Sequence, residues 1–370
     1  MARRRFEIVV SGSAPELYPA EPFFGLLWLD QEKNDALQIP VSRPLRTGWG
    51  EFSSIQLVRD GKDPVPWFLD MVWLSVTERN FYSLEEELPV ERLEELFCQG
   101  CEDPGEEGKA QNAGETPQPL YEFLVVGMAP YGGVALWAYG YGKSTLVKWM
   151  QAEETKVEMR DFAPMNPSLT LDELCDAYIN SDEEADVKEN LEKNGLPPRG
   201  LFDGYMKQFS YRYRVLFGHW DKETDGFWPD TEEDREAGPR LVSVEERLFD
   251  GTHDKLRNGG LFRYHRAGKP QKLLVKWSFR GSDYCACFFM EDEPVRAAFD
   301  AFFEDRPDAE ADFDIQIDPE KMGVGLILSR DGTGAKRELD RGAYQIIIFK
   351  DGEELGRSEN YDQERGAWRW

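Results

Sequence analysis

Pro66-Trp-Phe-Leu69-Asp-Met71-Val-Trp73-Leu-Ser75 aligns without a gap on Pro270-Gln-Lys-Leu273-Leu-Val275-Lys-Trp277-Ser-Phe279. Leu69, Met71 and Trp73 in the first stretch, and Leu273, Val275 and Trp277 in the second, recur at every second place. That is the period of a strand with one buried face. Each stretch runs through a second strand-like segment into a helix with proline in its first turn, where a missing N–H costs nothing. In Pro89 to Phe97, Val90, Leu93, Leu96 and Phe97 share one face and Glu91, Glu94 and Glu95 the other. In Asp292 to Phe303, Asp292 or Glu293 can cap, while Val295, Ala298, Phe299, Phe302 and Phe303 form the stripe.

After each helix comes a polar loop and then a hairpin-like strand pair, Phe123 to Leu136 and Phe313 to Leu326, both with Pro, Gly and Val at similar spacing. The recurrence predicts an internal duplication of a strand, strand, helix, strand, strand unit; a chance match of short β-rich segments is the alternative. The fold class expected is α+β, mainly antiparallel β with a few helices, in two related halves. A length of 370 residues suits two domains, and the turn-forming cluster Asn194-Gly-Leu-Pro197-Pro198-Arg-Gly200 divides them into lobes at 1–198 and 199–370. Leu171 to Leu191 reads as a polar helical region.

Lys plus Arg number 44 against 71 Asp plus Glu, a net charge of -27 that repels phosphate backbones and anionic lipids. Neither nucleic acid nor membrane is an expected partner. With 41% hydrophobic and 13% aromatic residues the acidity does not signify disorder. The basic start Arg3-Arg4-Arg5 meets an apolar stretch broken by Glu7, too short for a secretion signal, and no cysteine precedes Cys98. Five cysteines suit a reducing compartment, so a cytoplasmic location is expected.

Catalytic motifs are mostly missing. Gly142-Lys143-Ser144-Thr145 resembles the end of a phosphate loop, but Trp137 stands where the first glycine is needed, so a hairpin turn is expected there. Cys98, Cys101, Cys285 and Cys287 could supply four thiolates to zinc, yet the pairs sit at non-equivalent places in the two halves, and neither a metal nor a cofactor is expected. His253-Asp254 lies in a Gly- and Asn-rich loop and reads as a solvated turn, and a carboxylate pair such as Glu78 with Asp70 would be an arbitrary choice. No catalytic residue is assigned and no enzyme is expected.

Trp73-Leu-Ser-Val-Thr-Glu-Arg-Asn-Phe81-Tyr82, Leu88-Pro89, Leu96-Phe97 and Val125-Val-Gly127-Met-Ala-Pro130-Tyr-Gly132-Gly133-Val-Ala-Leu-Trp137 carry a resemblance. Together with Gly48-Trp49-Gly50 and Tyr211-Arg212-Tyr213-Arg214, they make the chain similar to the bacterial family of unknown function DUF2931 from Phe6 to about Phe349. Many relatives are lipoproteins encoded near type VI secretion effectors, often lipase-type toxins, so the resemblance implies an immunity role. The lipoprotein signal is missing here, which points instead to a toxin acting in the cytoplasm.

The function expected is therefore a non-catalytic inhibitor that occludes the active site of a protein toxin with a basic surface, since charge complementarity speeds capture. Its candidate contact residues are Asp225, Phe227, Trp228, Asp230, Glu232, Glu233 and Asp234, aromatic anchors in a charged rim within a segment, Asp221 to Arg240, of eight acids and three bases. The tract Asp300 to Glu320, with nine acids and one base, is a second candidate. A small-ligand module using a cleft between the lobes and a zinc-binding protein are the alternatives.

Overall fold

The computed structural model describes residues 4–41, 43–99, 120–140, 142–221, 226–229, 238–257, 263–318, 323–330 and 333–358. The chain forms two compact units, Met1–Gly204 with Asp250–Thr252, and Tyr205–Phe249 with His253–Trp370.

The first unit runs β1 (Val9–Ser13), β2 (Ala20–Trp28), β3 (Ala36–Gln38), β4 (Gln56–Val58), β5 (Phe68–Ser75), β6 (Asn80–Glu87), α1 (Val90–Cys98), β7 (Tyr121–Ala129), β8 (Gly133–Gly140), β9 (Lys143–Gln151) and β10 (Glu153–Thr155). Helices α2 (Met159–Phe162), α3 (Leu171–Ile179), α4 (Ala185–Asn194) and α5 (Leu201–Tyr205) follow. Its sheets have the orders β4-β1-β7-β8-β9 and β10-β6-β5-β2-β3. All neighbours are antiparallel except β1 and β7, which are parallel and whose connection passes through the other sheet and α1.

The second unit runs β11 (Phe209–Asp221), β12 (Gly226–Pro229), β13 (Arg240–Leu248), β14 (His253–Leu256), β15 (His265–Ala267), β16 (Pro270–Phe279), β17 (Ser282–Met290), α6 (Asp292–Phe303), β18 (Ala311–Asp318), β19 (Gly323–Arg330), β20 (Ala335–Glu338), β21 (Tyr344–Lys350) and β22 (Glu353–Arg357). Its sheets are β12-β11-β18-β19-β20, with β15 also on β11, and β14-β13-β16-β17-β21-β22. The order β3-β2-β5-β6-β10 thus recurs as β14-β13-β16-β17-β21, and the parallel pair β1·β7 continued by β8 and β9 recurs as β11·β18 continued by β19 and β20. The fold is α+β, built mainly of antiparallel strands.

Alternation puts the same residues inside in both units. Leu69, Met71 and Trp73 share a core with Val10, Leu124, Leu136 and the α1 side chains Leu93, Leu96 and Phe97. Leu273, Val275 and Trp277 share one with Tyr211, Tyr213, Phe313 and the α6 side chains Val295, Phe299 and Phe303. Trp73 stacks on its cross-strand partner Tyr82 with ring centroids 5.5 Å apart, and Trp277 on Tyr284 at 5.4 Å.

The α6 cap differs from expectation. Glu291 is the N-cap residue and makes no side-chain cap, its Oε1 instead accepting from Gln345 Nε2 at 2.8 Å, while Asp292 accepts the Tyr205 hydroxyl at 2.9 Å. The polar region after β10 divides into α3 and α4, with α3 started by a reciprocal cap in which the Glu173 N–H donates to Thr170 Oγ1 (3.2 Å) and the Thr170 N–H to Glu173 Oε2 (2.9 Å). α3 lays Cys175 and Ile179 on Leu74, Val76 and Phe81, covering the outer face of the β5–β6 pair. Gly142 (φ +70) turns β8 into β9, the expected hairpin at Gly142-Lys143. Among the described residues no helix is long and apolar enough to cross a membrane.

Candidate functional site

β11 is a 13-residue strand that changes partners along its length. Residues 211–217 pair in parallel with β18, while Gly218 to Asp221 pair with β12. Among the described residues the chain beyond Phe217 therefore continues as a two-stranded ribbon. Two of the expected contact residues, Phe227 and Trp228, lie on β12 opposite Trp220 and His219. Asp225, Asp230, Glu232, Glu233 and Asp234 lie outside the described residues.

The second acidic candidate divides in the structure: Glu304, Asp305, Asp308 and Glu310 are exposed, while the acids of β18 are not. Asp312, Asp314 and Asp318, at the heart of the Asp300 to Glu320 tract, are buried on β18. Arg212 Nε reaches Asp312 Oδ1 at 2.7 Å, and Arg214 grips Asp314 with Nε at 2.6 Å and Nη2 at 2.9 Å while its Nη1 lies 2.9 Å from Asp312 Oδ2. Tyr264 and Ser329 hydroxyls donate to Asp312 Oδ1 (3.2 Å) and Asp314 Oδ2 (3.0 Å). Parallel register sets Arg212 beside Asp312 and Arg214 beside Asp314, so these acids are consumed within the sheet and cannot steer a partner.

The cysteines weighed for zinc are placed within each unit separately. Cys98 ends α1 and its sulfur accepts from Arg4 at 2.9 Å; Cys101 lies outside the described residues. Cys285 and Cys287 lie on β17 with sulfurs 3.7 Å apart. Among the described residues no three His, Cys, Asp or Glu side chains are grouped to hold a metal.

Two polar centres escaped the sequence. Glu78 joins the two motifs of the first unit: its Oε2 accepts from Ser75 Oγ (2.7 Å) and the Tyr131 N–H (2.8 Å), its Oε1 from the Tyr82 hydroxyl (2.9 Å). Tyr131 sits at φ +64 and Arg79 at φ +56, conformations costly for side-chain-bearing residues that this clamp holds in place. Burial, reinforced by Glu78, pushes the Tyr131 hydroxyl above its ordinary range. The abundance of carboxylates hid Glu78, although its place in Thr77-Glu78-Arg79-Asn80, a turn between two strands, was the available signal.

In the second unit Glu246 is buried and accepts the Tyr213 hydroxyl at 2.6 Å, with His265 Nε2 3.8 Å from its other oxygen. Burial pushes the His265 imidazolium down, but the Glu246 carboxylate pulls it up further and the net shift is upward. A raised histidine stabilises fully below its unfolded value near 6.5 and loses that contribution as pH rises through the folded value. Stability of the second unit is therefore expected to fall by up to about 1 kcal/mol as pH increases from about 6 to 8. Denaturation midpoints at the two pH values check this, and His265→Gln should remove the difference.

Gly48-Trp49-Gly50 also finds a structural role in the first unit. Trp49 packs on Trp137 (4.8 Å) and Phe202 (5.1 Å), and Gly50, at φ +81, passes so close to Gly251 that an added Cβ would lie 2.2 Å from its carbonyl oxygen. Trp137 Nε1 donates to the Asp250 carbonyl at 3.0 Å.

The family described as a protein of unknown function, DUF2931, matches residues 2–198. No curated protein and no solved structure matches the chain. The match stops well short of Phe349 and leaves out Tyr211-Arg212-Tyr213-Arg214, whose arginines answer to the Asp312 and Asp314 pairing of the second unit. It takes in more than half of the chain and both motifs that meet at Glu78, and on that ground the chain belongs to the DUF2931 family.

Proposed function

We propose that the protein is a non-catalytic inhibitor that captures a secreted bacterial toxin, of the type VI effector class, through the β11–β12 ribbon, and that it acts in the cytoplasm. The observation that carries this reading is the ribbon: it continues β11 past its pairing with β18 and bears Phe227 and Trp228 inside an acidic stretch of the chain. Aromatic anchors with a charged rim suit a protein partner, and a net charge of -27 favours fast association with a basic one. The carboxylates Glu78, Glu246 and Asp314 are each engaged by donors of the fold itself. We also infer that the units arose by internal duplication; the repeated strand orders and the paired Trp–Tyr stacks support it.

The test is co-purification of the tagged chain with the products of its neighbouring genes at low and high salt, followed by association kinetics. A stoichiometric toxin partner is expected, with association slowed at least tenfold and its salt dependence flattened when Asp225, Glu232, Glu233 and Asp234 are all changed to Lys. Unchanged kinetics would reject the ribbon as the contact, and a protein that emerges alone under every condition would reject toxin capture.

A further inference from the structure

The outer faces of the two Trp–Tyr sheets differ in chemistry. In the first unit Ser83 and Glu85 follow Tyr82 at alternate places on β6. At the corresponding places after Tyr284 the second unit has Cys285, opposite Lys276, and Cys287, opposite Leu274. Cys285 is half-buried, Cys287 is buried, and both line a cavity of about 480 Å³ with Val242, Lys276, Tyr284 and Phe349.

We propose that Cys285 and Cys287 form a two-thiolate site for a soft cation, Zn²⁺ or Cu⁺, whose outward coordination positions take ligands from solution. The inference stands apart from the toxin-binding reading. It rests on the separation of the sulfurs, 3.7 Å. Two Zn–S bonds of about 2.3 Å at a tetrahedral angle span about 3.8 Å, so the thiols already stand at the spacing of two corners of such a site. Thiolate sulfur is the donor that soft cations select.

The same geometry argues against a disulfide. Alternate residues of a strand have Cα atoms about 6.6 Å apart, at the far end of the range a disulfide spans, and the sulfurs would have to close to about 2.05 Å. β17 is bonded to β16 on one side and β21 on the other along this stretch, which opposes the required bend. A metal asks for no such movement.

Lys276, held by Glu245 at 3.0 Å, sets a cation beside Cys285 that favours its thiolate, while the apolar walls formed by Tyr284, Phe349 and Val242 penalise an unpaired thiolate, so that the second thiol ionises only as the metal binds. On binding, two S–H protons leave to solvent and two metal–sulfur bonds form, with no change of oxidation state.

The test uses the full chain, reduced and metal-free, titrated separately with Zn²⁺ and Cu⁺ against a chromophoric chelator, and with Co²⁺ for its sulfur charge-transfer absorption. One equivalent per chain of Zn²⁺ or Cu⁺ is expected, bound at least 100-fold more weakly by Cys285→Ser and Cys287→Ser and unchanged by Cys98→Ser. About two protons should be released per metal, and the charge-transfer band should vanish in both variants. Should either variant fail to fold, protection of Cys285 in the native chain from iodoacetamide by bound metal replaces it as the readout. Equal binding by the serine variants, no binding by the native chain, or ready formation of a Cys285–Cys287 disulfide under mild oxidation would overturn the site.

Discussion

Trp277→Ala should destabilise the second unit by about 3–5 kcal/mol, the usual cost of deleting a large aromatic from a packed core. Trp277 is fully buried, stacked on Tyr284 at 5.4 Å and in contact with Phe217 at 6.0 Å, so the cavity left behind is walled by rings on adjoining strands that cannot easily collapse. For a unit of this size the loss corresponds to a fall in melting temperature of about 6–20 °C. Trp73→Ala should do the same to the first unit, where Trp73 is equally buried against Tyr82.

Phenylalanine at either place should cost far less, about 1 kcal/mol. Among the described residues both indole N–H groups are buried without a hydrogen-bond partner, and their removal forfeits volume only. Urea denaturation followed by circular dichroism measures both effects. An alanine variant within about 1 kcal/mol of the native chain would mean that the core repacks and that this stack does not anchor the sheet.

The second large effect is expected at Arg214. Its guanidinium forks onto Asp314 and also reaches Asp312, and both carboxylates are buried. Among the described residues Arg214→Ala leaves that charge to Arg212, Ser329 and Tyr264, a situation that costs about 3 kcal/mol because uncompensated buried charge is penalised more than the pair is worth. Arg214→Lys should recover less than half, since an ammonium cannot fork. Combining Arg214→Ala with Asp314→Asn should restore much of the loss, and the double-mutant cycle gives the coupling directly. Additive losses would show that the two side chains act independently and that the ion pair is incidental.

Much of this architecture could be read in the chain because the signals are local. The alternation through Leu69, Met71 and Trp73 and through Leu273, Val275 and Trp277 names the buried face of a strand whatever its neighbours are. The stripes of α1 and α6 and the hairpin at Gly142 are legible for the same reason. The candidate contact residues were legible as chemistry, acids around Phe227 and Trp228, while the ribbon that carries the two aromatics was not, because strand pairing uses backbone groups common to every residue.

That difference sets what each level decides. Composition, charge and short-period patterns by themselves determined an acidic α+β chain with two similar strand–helix units, since each of those properties is written within a few neighbouring residues. Only the tertiary structure decided that Asp312 and Asp314 are buried beside Arg212 and Arg214 rather than exposed to a partner, that Glu78 closes onto Tyr131, and that Cys285 and Cys287 bring their sulfurs to 3.7 Å from each other. These outcomes depend on which distant strands become neighbours and in what register, and a charge or a thiol reads the same in sequence whether water or another side chain satisfies it.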